Sequence, residues 1–362
     1  MTLKNILFVL ICGCNILPAL SQEQDSGKHY SILLNPADRQ SVLQSDDYYT
    51  WGASPIKGDD GLYHLYYSRW KKEYGFLAWV THSEVAHAVS KEAKGPYRFS
   101  DLALPARGAT YWDGLNTHNP TIHFFDGKYY LYYTGNTGDG QNMKSSLNSS
   151  HRNNQRIGVA VSNSPYGPWK RFDKPLIDVS ADSTAHDALM VANPSITQMT
   201  DGKYLMVYKA VAKKNGGIWG GPVVHLCAVS DSPTGPFKKH PTPIFTATGS
   251  DFPAEDPYIW SQDGMYYAIV KDMHGSFTGK GRSLTLFYSE NGFDWKAVES
   301  PLVSVLEIHW KDGEVTPLVH LERPQLLIED GKPVMLFLAA DAMDDYSQPG
   351  NTFNVHIPIR CE

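Results

Sequence analysis

Beyond its first residues the sequence has no apolar run long enough to span a bilayer. It has no cluster of basic residues, and a formal net charge of -6 argues against a nucleic acid or an anionic membrane as partner. Cysteine is scarce: of 4 in the chain, only Cys227 and Cys361 lie beyond the N-terminal apolar stretch. One pair so far apart gives neither a disulfide framework nor a metal-binding spacing, and both are read as structural. No His-Glu-x-x-His or comparable spacing occurs, so His118, His186 and His320 read as hydrogen-bonding residues rather than metal ligands.

The first residues have the form of an export signal: Lys4, then "ILFVLICGCNILPAL", then "ALS" ahead of "QEQ". Cleavage near Ser21 would make 1–21 a signal peptide and 22–362 the mature chain, secreted or periplasmic. "ICGC" offers lipid attachment at Cys14 as a second outcome.

Aromatic residues are plentiful, and they recur in a pattern. "HNPTIHFFDGKYYLYYTG" at 118–135 reads as strand, Asp-Gly turn, strand. Similar stretches begin at Ser54, Asn193, Asp256 and Arg323. Their prolines, Pro55, Pro120, Pro194, Pro257 and Pro324, are 65, 74, 63 and 67 residues apart. After the hairpin comes a further strand and a Gly-Pro-aromatic turn, "KGPYRF" at 94, "YGPWKRF" at 166 and "TGPFKKH" at 234, with "NGFDWKAV" at 291 in the fourth copy. Four strands per unit and five units predict an all-β, five-bladed propeller forming one domain. The fifth unit has only three strands of its own, the last at 353–359, and "HYSILL" at 29–34 is the strand available to cover its open edge and close the ring.

In such a ring the inner strands begin, and the second strands end, on one face. That face should collect the residues ahead of each proline. Asp113 lies six residues before Asn119 and Asp187 six before Asn193, with Asp47 seven before Ser54. Unit four has "AEDP" with Glu255 and Asp256, and unit five "LERP" with Glu322 and Arg323. Asp47, Asp113, Asp187, Glu255 and Glu322 are therefore the candidate catalytic carboxylates. An Asp ahead of a strand also serves as a turn former, so Glu255 and Glu322 are the stronger choices. Trp51, Trp70, His118, Asn119, Asn193, Lys209, Trp219, Lys271, His274 and Arg323 are candidate substrate-binding residues. Amides and charges bind hydroxyls and indole faces stack on sugar rings, which suits a carbohydrate pocket. Paired carboxyl groups are what glycosidic bond cleavage requires. The polar insert at 136–155 is a candidate lid.

From Trp51 to Trp295 the chain resembles the five-bladed propeller glycoside hydrolases of families 43 and 117, through "DGKYYLYY", "IGVAVSNSPYGPW" and the Glu-x-Pro that opens blade four. The resemblance implies an exo-acting enzyme releasing terminal sugars from a polysaccharide or oligosaccharide, mostly by inversion. It places the general acid on Glu255. The family's base and modulator positions, directly before the prolines of blades one and three, fall on Ser54 and Asn193, neither a carboxylate. The base role then passes to Asp47 or Asp113, with Asp187 as modulator. A channel calcium occurs in some family 43 members, but no ligand set in this sequence demands it, and no cofactor is expected. Two alternatives stay open: a glycoside phosphorylase, and a carbohydrate-binding propeller with an inactive site.

Overall fold

The computed structural model describes residues 26–214, 216–342 and 352–362; the expected signal peptide, with Cys14, lies outside them. No helix among the described residues is long and apolar enough to cross a membrane. The described residues form five antiparallel blade sheets and one two-stranded hairpin, Glu307–His309 with Val315–Pro317. Blade one is Tyr48–Lys57, Tyr63–Lys71, Glu84–Ser90 and Arg98–Leu104; blade two is Asn116–Phe125, Lys128–Asn136, Arg156–Ser162 and Lys170–Arg171. Blades three and four are Met190–Gln198, Tyr204–Val211, Val223–Ser230, Lys238–Ile244 and Ala254–Gln262, Met265–Asp272, Ser283–Ser289, Lys296–Val305.

Blade five is built from both ends of the chain. His320–Glu329, Lys332–Asp341 and Phe353–Cys361 are joined by Ile32–Leu34, which pairs with the last strand in the register Ile32↔Cys361 to Leu34↔Ile359. A second N-terminal segment, Val42–Leu43, pairs with the same strand further along. The ring therefore closes on the N-terminal strand, as "HYSILL" led one to expect.

Each of the five junctions between blades has its own apolar core. Tyr66, Leu104, Leu131 and Tyr133 lie in the core between blades one and two, and Leu65, Tyr67, Leu327 and Phe337 in the one between five and one. Three further cores fill the remaining junctions. The tyrosines that make the repeat conspicuous have a second task. Tyr66 and Tyr132 donate their hydroxyls to Pro165 and Pro233, in the Ser-Pro turns of the following blade. A tyrosine can thus bury a ring and satisfy a turn carbonyl together.

The inner strands share one irregularity. The ladder slips between His118 and Thr121, Ala192 and Ser195, Glu255 and Tyr258, and Glu322 and Gln325. The residue before the proline bulges out there with positive φ: Asn119 51°, Asn193 54°, Asp256 52°, Arg323 54°. Blade one differs from the spacing argument, which aligned Pro55 with the other prolines. Its slip lies between Trp51 and Ala53, and the bulged residue is Gly52. Hydrogen bonds confirm the alignment. Ser54 Oγ accepts from the Ile122 N–H of blade two at 3.0 Å, as Ser195 Oγ accepts from Ile259 of blade four at 2.8 Å. Ser54 is thus the counterpart of Ser195, two residues past the bulge.

Candidate active site

The five bulges bring Gly52, Asn119, Asn193, Asp256 and Arg323 together around the channel. Asn119 Nδ2 donates to Asn193 Oδ1 at 2.9 Å, and Asn193 Nδ2 donates to Asp256 Oδ1 at 2.7 Å. Arg323 donates from one terminal nitrogen to Asp256 Oδ1 at 3.4 Å and from the other to the Asn119 carbonyl at 3.5 Å. Gly52 leaves the space these side chains occupy: a Cβ there would lie 2.8 Å from Asn119 Oδ1 and 3.4 Å from Arg323 Cγ. The backbone amides of the bulges are satisfied across blades, Asn119 by Ser68 Oγ and Asn193 by Thr134 Oγ1, both at 2.8 Å. This is a rigid polar floor.

Above it lies a cavity of about 290 Å³. Blade one supplies an apolar, mainly aromatic wall of Trp51, Trp70, Phe76, Leu77 and Trp79. The last three come from a helical insert after its second strand, Lys72–Tyr74, Phe76–Ala78 and Trp79–His82. Phe76 stands edge-on to Trp51 at 5.6 Å and packs on Trp70 at 5.8 Å.

Blades three to five supply a charged wall. Lys209 Nζ donates to Glu255 Oε1 at 2.5 Å, and Lys271 lies 3.5 Å from Glu255 Oε2 while donating a short hydrogen bond to Glu322 Oε1. His320 Nδ1 is 3.1 Å from the same Glu322 oxygen. Burial would push both glutamates up, but Lys209 and Lys271 together outweigh it and hold the Glu255 carboxyl below its ordinary range. Lys271 and His320 likewise bring Glu322 down to about 2. Burial also works against the Lys271 charge, and Glu322 and Glu255 overcome it, keeping the ammonium above its usual range. Asp256, deeper and less well compensated, is pushed up by burial to about 6 despite Arg323.

Of the residues expected at the site, Glu255, Glu322, Trp51, Trp70, Asn119, Asn193, Lys209 and Lys271 line this cavity. The others lie elsewhere. Asp47 is exposed, beside a shallow depression with Asp46, Tyr48 and Glu73. Asp113 is fully buried between two guanidiniums, Arg107 Nε at 2.8 Å and a terminal nitrogen of Arg171 at 2.6 Å, with the Tyr133 hydroxyl at 2.6 Å. Asp187 accepts from Lys239 Nζ at 2.5 Å. Arg323 is buried in the floor, 1% exposed. His118 packs behind the aromatic wall, its ring on Trp79 at 5.1 Å and Nδ1 at 2.8 Å from Ser83 Oγ; burial first, then Arg323, brings it down to about 3. Trp219 and His274 are exposed outside the lining.

Phe76, Leu77, Gln155, Met273 and Arg282 line the cavity without having been singled out from the sequence. All five lie outside the inner strands, in or beside loops with no fixed offset from the repeat. Gln155 is the one cavity residue of the 136–155 insert. Asn142 Nδ2 of that insert donates to the Tyr74 carbonyl at 3.1 Å and Asn153 Nδ2 to the Ile218 carbonyl at 2.7 Å, so it bridges the loops of blades one and three. Among the described residues no group of three or more His, Cys, Asp or Glu side chains is placed to hold a metal ion. The channel floor, with the Arg323 guanidinium in it, does not fit a calcium ion.

No known family profile matches the chain. It is 28% identical over 159 residues to an extracellular endo-α-(1→5)-L-arabinanase of Bacillus subtilis (strain 168), a match covering 43% of this chain and 41% of that protein. In structure it is similar to a family 117 glycoside hydrolase of the marine bacterium Zobellia galactanivorans, with a TM-score of 0.64 at 15% identity over 92% of this chain and 91% of that one. It is similar also to an α-L-arabinofuranosidase from Lactobacillus brevis, with a TM-score of 0.59 at 14% identity over 89% and 92% of the two chains. The chain thus has the five-bladed propeller fold found in these glycoside hydrolases.

Proposed function

We propose that this protein is an exo-acting glycoside hydrolase that releases a terminal sugar from an oligosaccharide or polysaccharide outside the cytoplasm. The observation that carries the reading is the convergence of Glu255 and Glu322, the two Glu-x-Pro residues of blades four and five, on one small cavity walled by indoles. A pocket of this size suits one sugar ring at a chain end better than the middle of a polymer.

The charges distribute the roles. Glu255 is ionised in the resting site, so it is fitted to take a proton. With Lys209 hydrogen-bonded to one oxygen and Lys271 ion-paired with the other, it serves better as a base toward water than as a nucleophile toward carbon. Glu322, held at about 2, is ionised and orients the His320 imidazole through the 3.1 Å contact to Nδ1, which makes His320 the proton donor of this proposal. In the step that follows, Glu255 takes a proton from water as the water oxygen bonds to the anomeric carbon. The glycosidic C–O bond breaks, and the leaving oxygen receives a proton from His320. The anomeric configuration inverts.

Glu255→Gln and His320→Asn test this assignment on glycosides with good and poor leaving groups. Loss on all substrates in Glu255→Gln, with His320→Asn spared only where the leaving group needs no proton, is the expected result. The opposite pattern would make Glu255 the acid, as the family resemblance has it. A second reading, sugar binding without turnover, is favoured by Gly52 and Asn193, which put no carboxylate at the base and modulator positions. Detectable binding with no release of product from any glycoside would establish it.

A further inference from the structure

The ionic groups of the cavity pair off almost completely. Glu255, Glu322 and Asp256 are answered by Lys209, Lys271 and Arg323. Among the described residues one lining cation is left over. Arg282 is exposed at the cavity, and no carboxylate among the described residues lies within ion-pair distance of its guanidinium.

Its position is not that of a side chain on a slack loop. The segment between Met265–Asp272 and Ser283–Ser289 is wound around the buried Asp272 carboxylate. Asp272 Oδ1 accepts from the backbone N–H groups of Gly275 at 2.8 Å and Ser276 at 2.9 Å, and Oδ2 from those of Phe277 at 2.9 Å and Thr278 at 3.0 Å. Thr278 Oγ1 is 2.8 Å from Ser283 Oγ, which ties the two ends of the loop together. The limbs meet so closely that a Cβ on Gly275 would lie 2.6 Å from the Gly281 nitrogen, the residue before Arg282. A backbone held this tightly presents Arg282 to the cavity with no further backbone ordering needed on binding.

The cavity is thus polarised. Aromatic faces of blade one stand on one side, and a guanidinium that no described carboxylate pairs with stands on blade four, which is not its neighbour in the ring. We propose that Arg282 selects a sugar bearing an anionic substituent, a carboxylate or a sulfate ester. The ring lies on the indoles and the anion is paired with the guanidinium fork. This rests on the carbohydrate reading of the same cavity.

The test measures binding apart from turnover, through the fluorescence of the cavity tryptophans. Methyl glycosides of galactose, galacturonic acid and galactose 6-sulfate are titrated into the wild-type protein, Arg282→Gln and Arg282→Lys, at low and high salt. The wild type is expected to bind one or both anionic sugars roughly 10- to 100-fold more tightly than the neutral one, the range of a charge-assisted hydrogen bond. High salt should narrow the preference. Arg282→Gln should abolish it while changing neutral-sugar affinity less than about threefold, and Arg282→Lys should restore part of it. The better-bound anion tells carboxylate from sulfate. Neutral and anionic sugars bound alike, or a preference that survives Arg282→Gln, would overturn the proposal and leave the carbohydrate reading standing. Binding of none of the three would overturn the proposal, and if no other glycoside were bound or cleaved the carbohydrate reading would fall with it.

Discussion

Lys271→Met removes the ammonium that joins the two cavity glutamates while keeping most of the aliphatic stem. Lys271 contacts both Glu255 and Glu322 and is itself only 5% exposed, so its removal leaves two carboxylates facing each other without their shared counter-charge. The size of the effect follows from Glu322. Its carboxyl falls from 4.5 to about 2 on folding. At about 1.4 kcal/mol per pH unit this corresponds to roughly 3 kcal/mol of stability at neutral pH, to which Lys271 and His320 both contribute. Breaking a buried ion pair by removing one partner typically costs about 3–5 kcal/mol, the same range. A carboxyl whose folded pKa is depressed contributes stability that is fully present above 4.5 and is lost as pH falls toward 2. Urea unfolding of wild type and Lys271→Met at pH 7 and pH 3 reads both quantities. A difference of about 3 kcal/mol at pH 7, shrinking to less than half at pH 3, is expected. An equal difference at both would show that the lysine stem, not its charge, carries the effect, and the ionised-glutamate account would fail.

Asp113→Asn should cost about 3–5 kcal/mol by stranding Arg107 and Arg171, yet leave kcat within about twofold, read by urea unfolding and steady-state kinetics. Gly52→Ala should lower stability by about 1–3 kcal/mol, since its methyl group meets Asn119 Oδ1 and its φ is 28°; thermal unfolding checks it. Trp51→Ala should raise KM by about tenfold with a smaller change in kcat, as expected of a face that holds the sugar ring without touching the reacting bond.

Most of the ring was legible because it is repetitive. Asp-Gly turns, paired tyrosines and Gly-Pro turns each recur at the spacing of a blade, and the missing fourth strand of blade five pointed to the N-terminus. Blade one misled because Pro55 stands two residues beyond its bulge, and only the backbone ladder shows that Gly52 occupies the position held elsewhere by Asn119 or Asp256. Glu255 and Glu322 were visible because each sits one residue before a bulge, a position fixed by the strand. Asp47, Asp113 and Asp187 shared a sequence offset but not an environment. Their segments precede the inner strands, where solvent, an arginine pair and Lys239 respectively receive them. The aromatic insert residue Phe76 and the loop residue Arg282 follow no period at all, so nothing in the repeat could mark them.

The most direct test of the central claim is sugar release by the protein from arabinan, other plant and algal polysaccharides and aryl glycosides, with Glu255→Gln run beside it under matched folding controls. Release of one terminal sugar by the wild type, lost by at least about a thousandfold in a variant that unfolds at the same temperature, is the result expected. Undiminished release by Glu255→Gln would contradict the account at its centre.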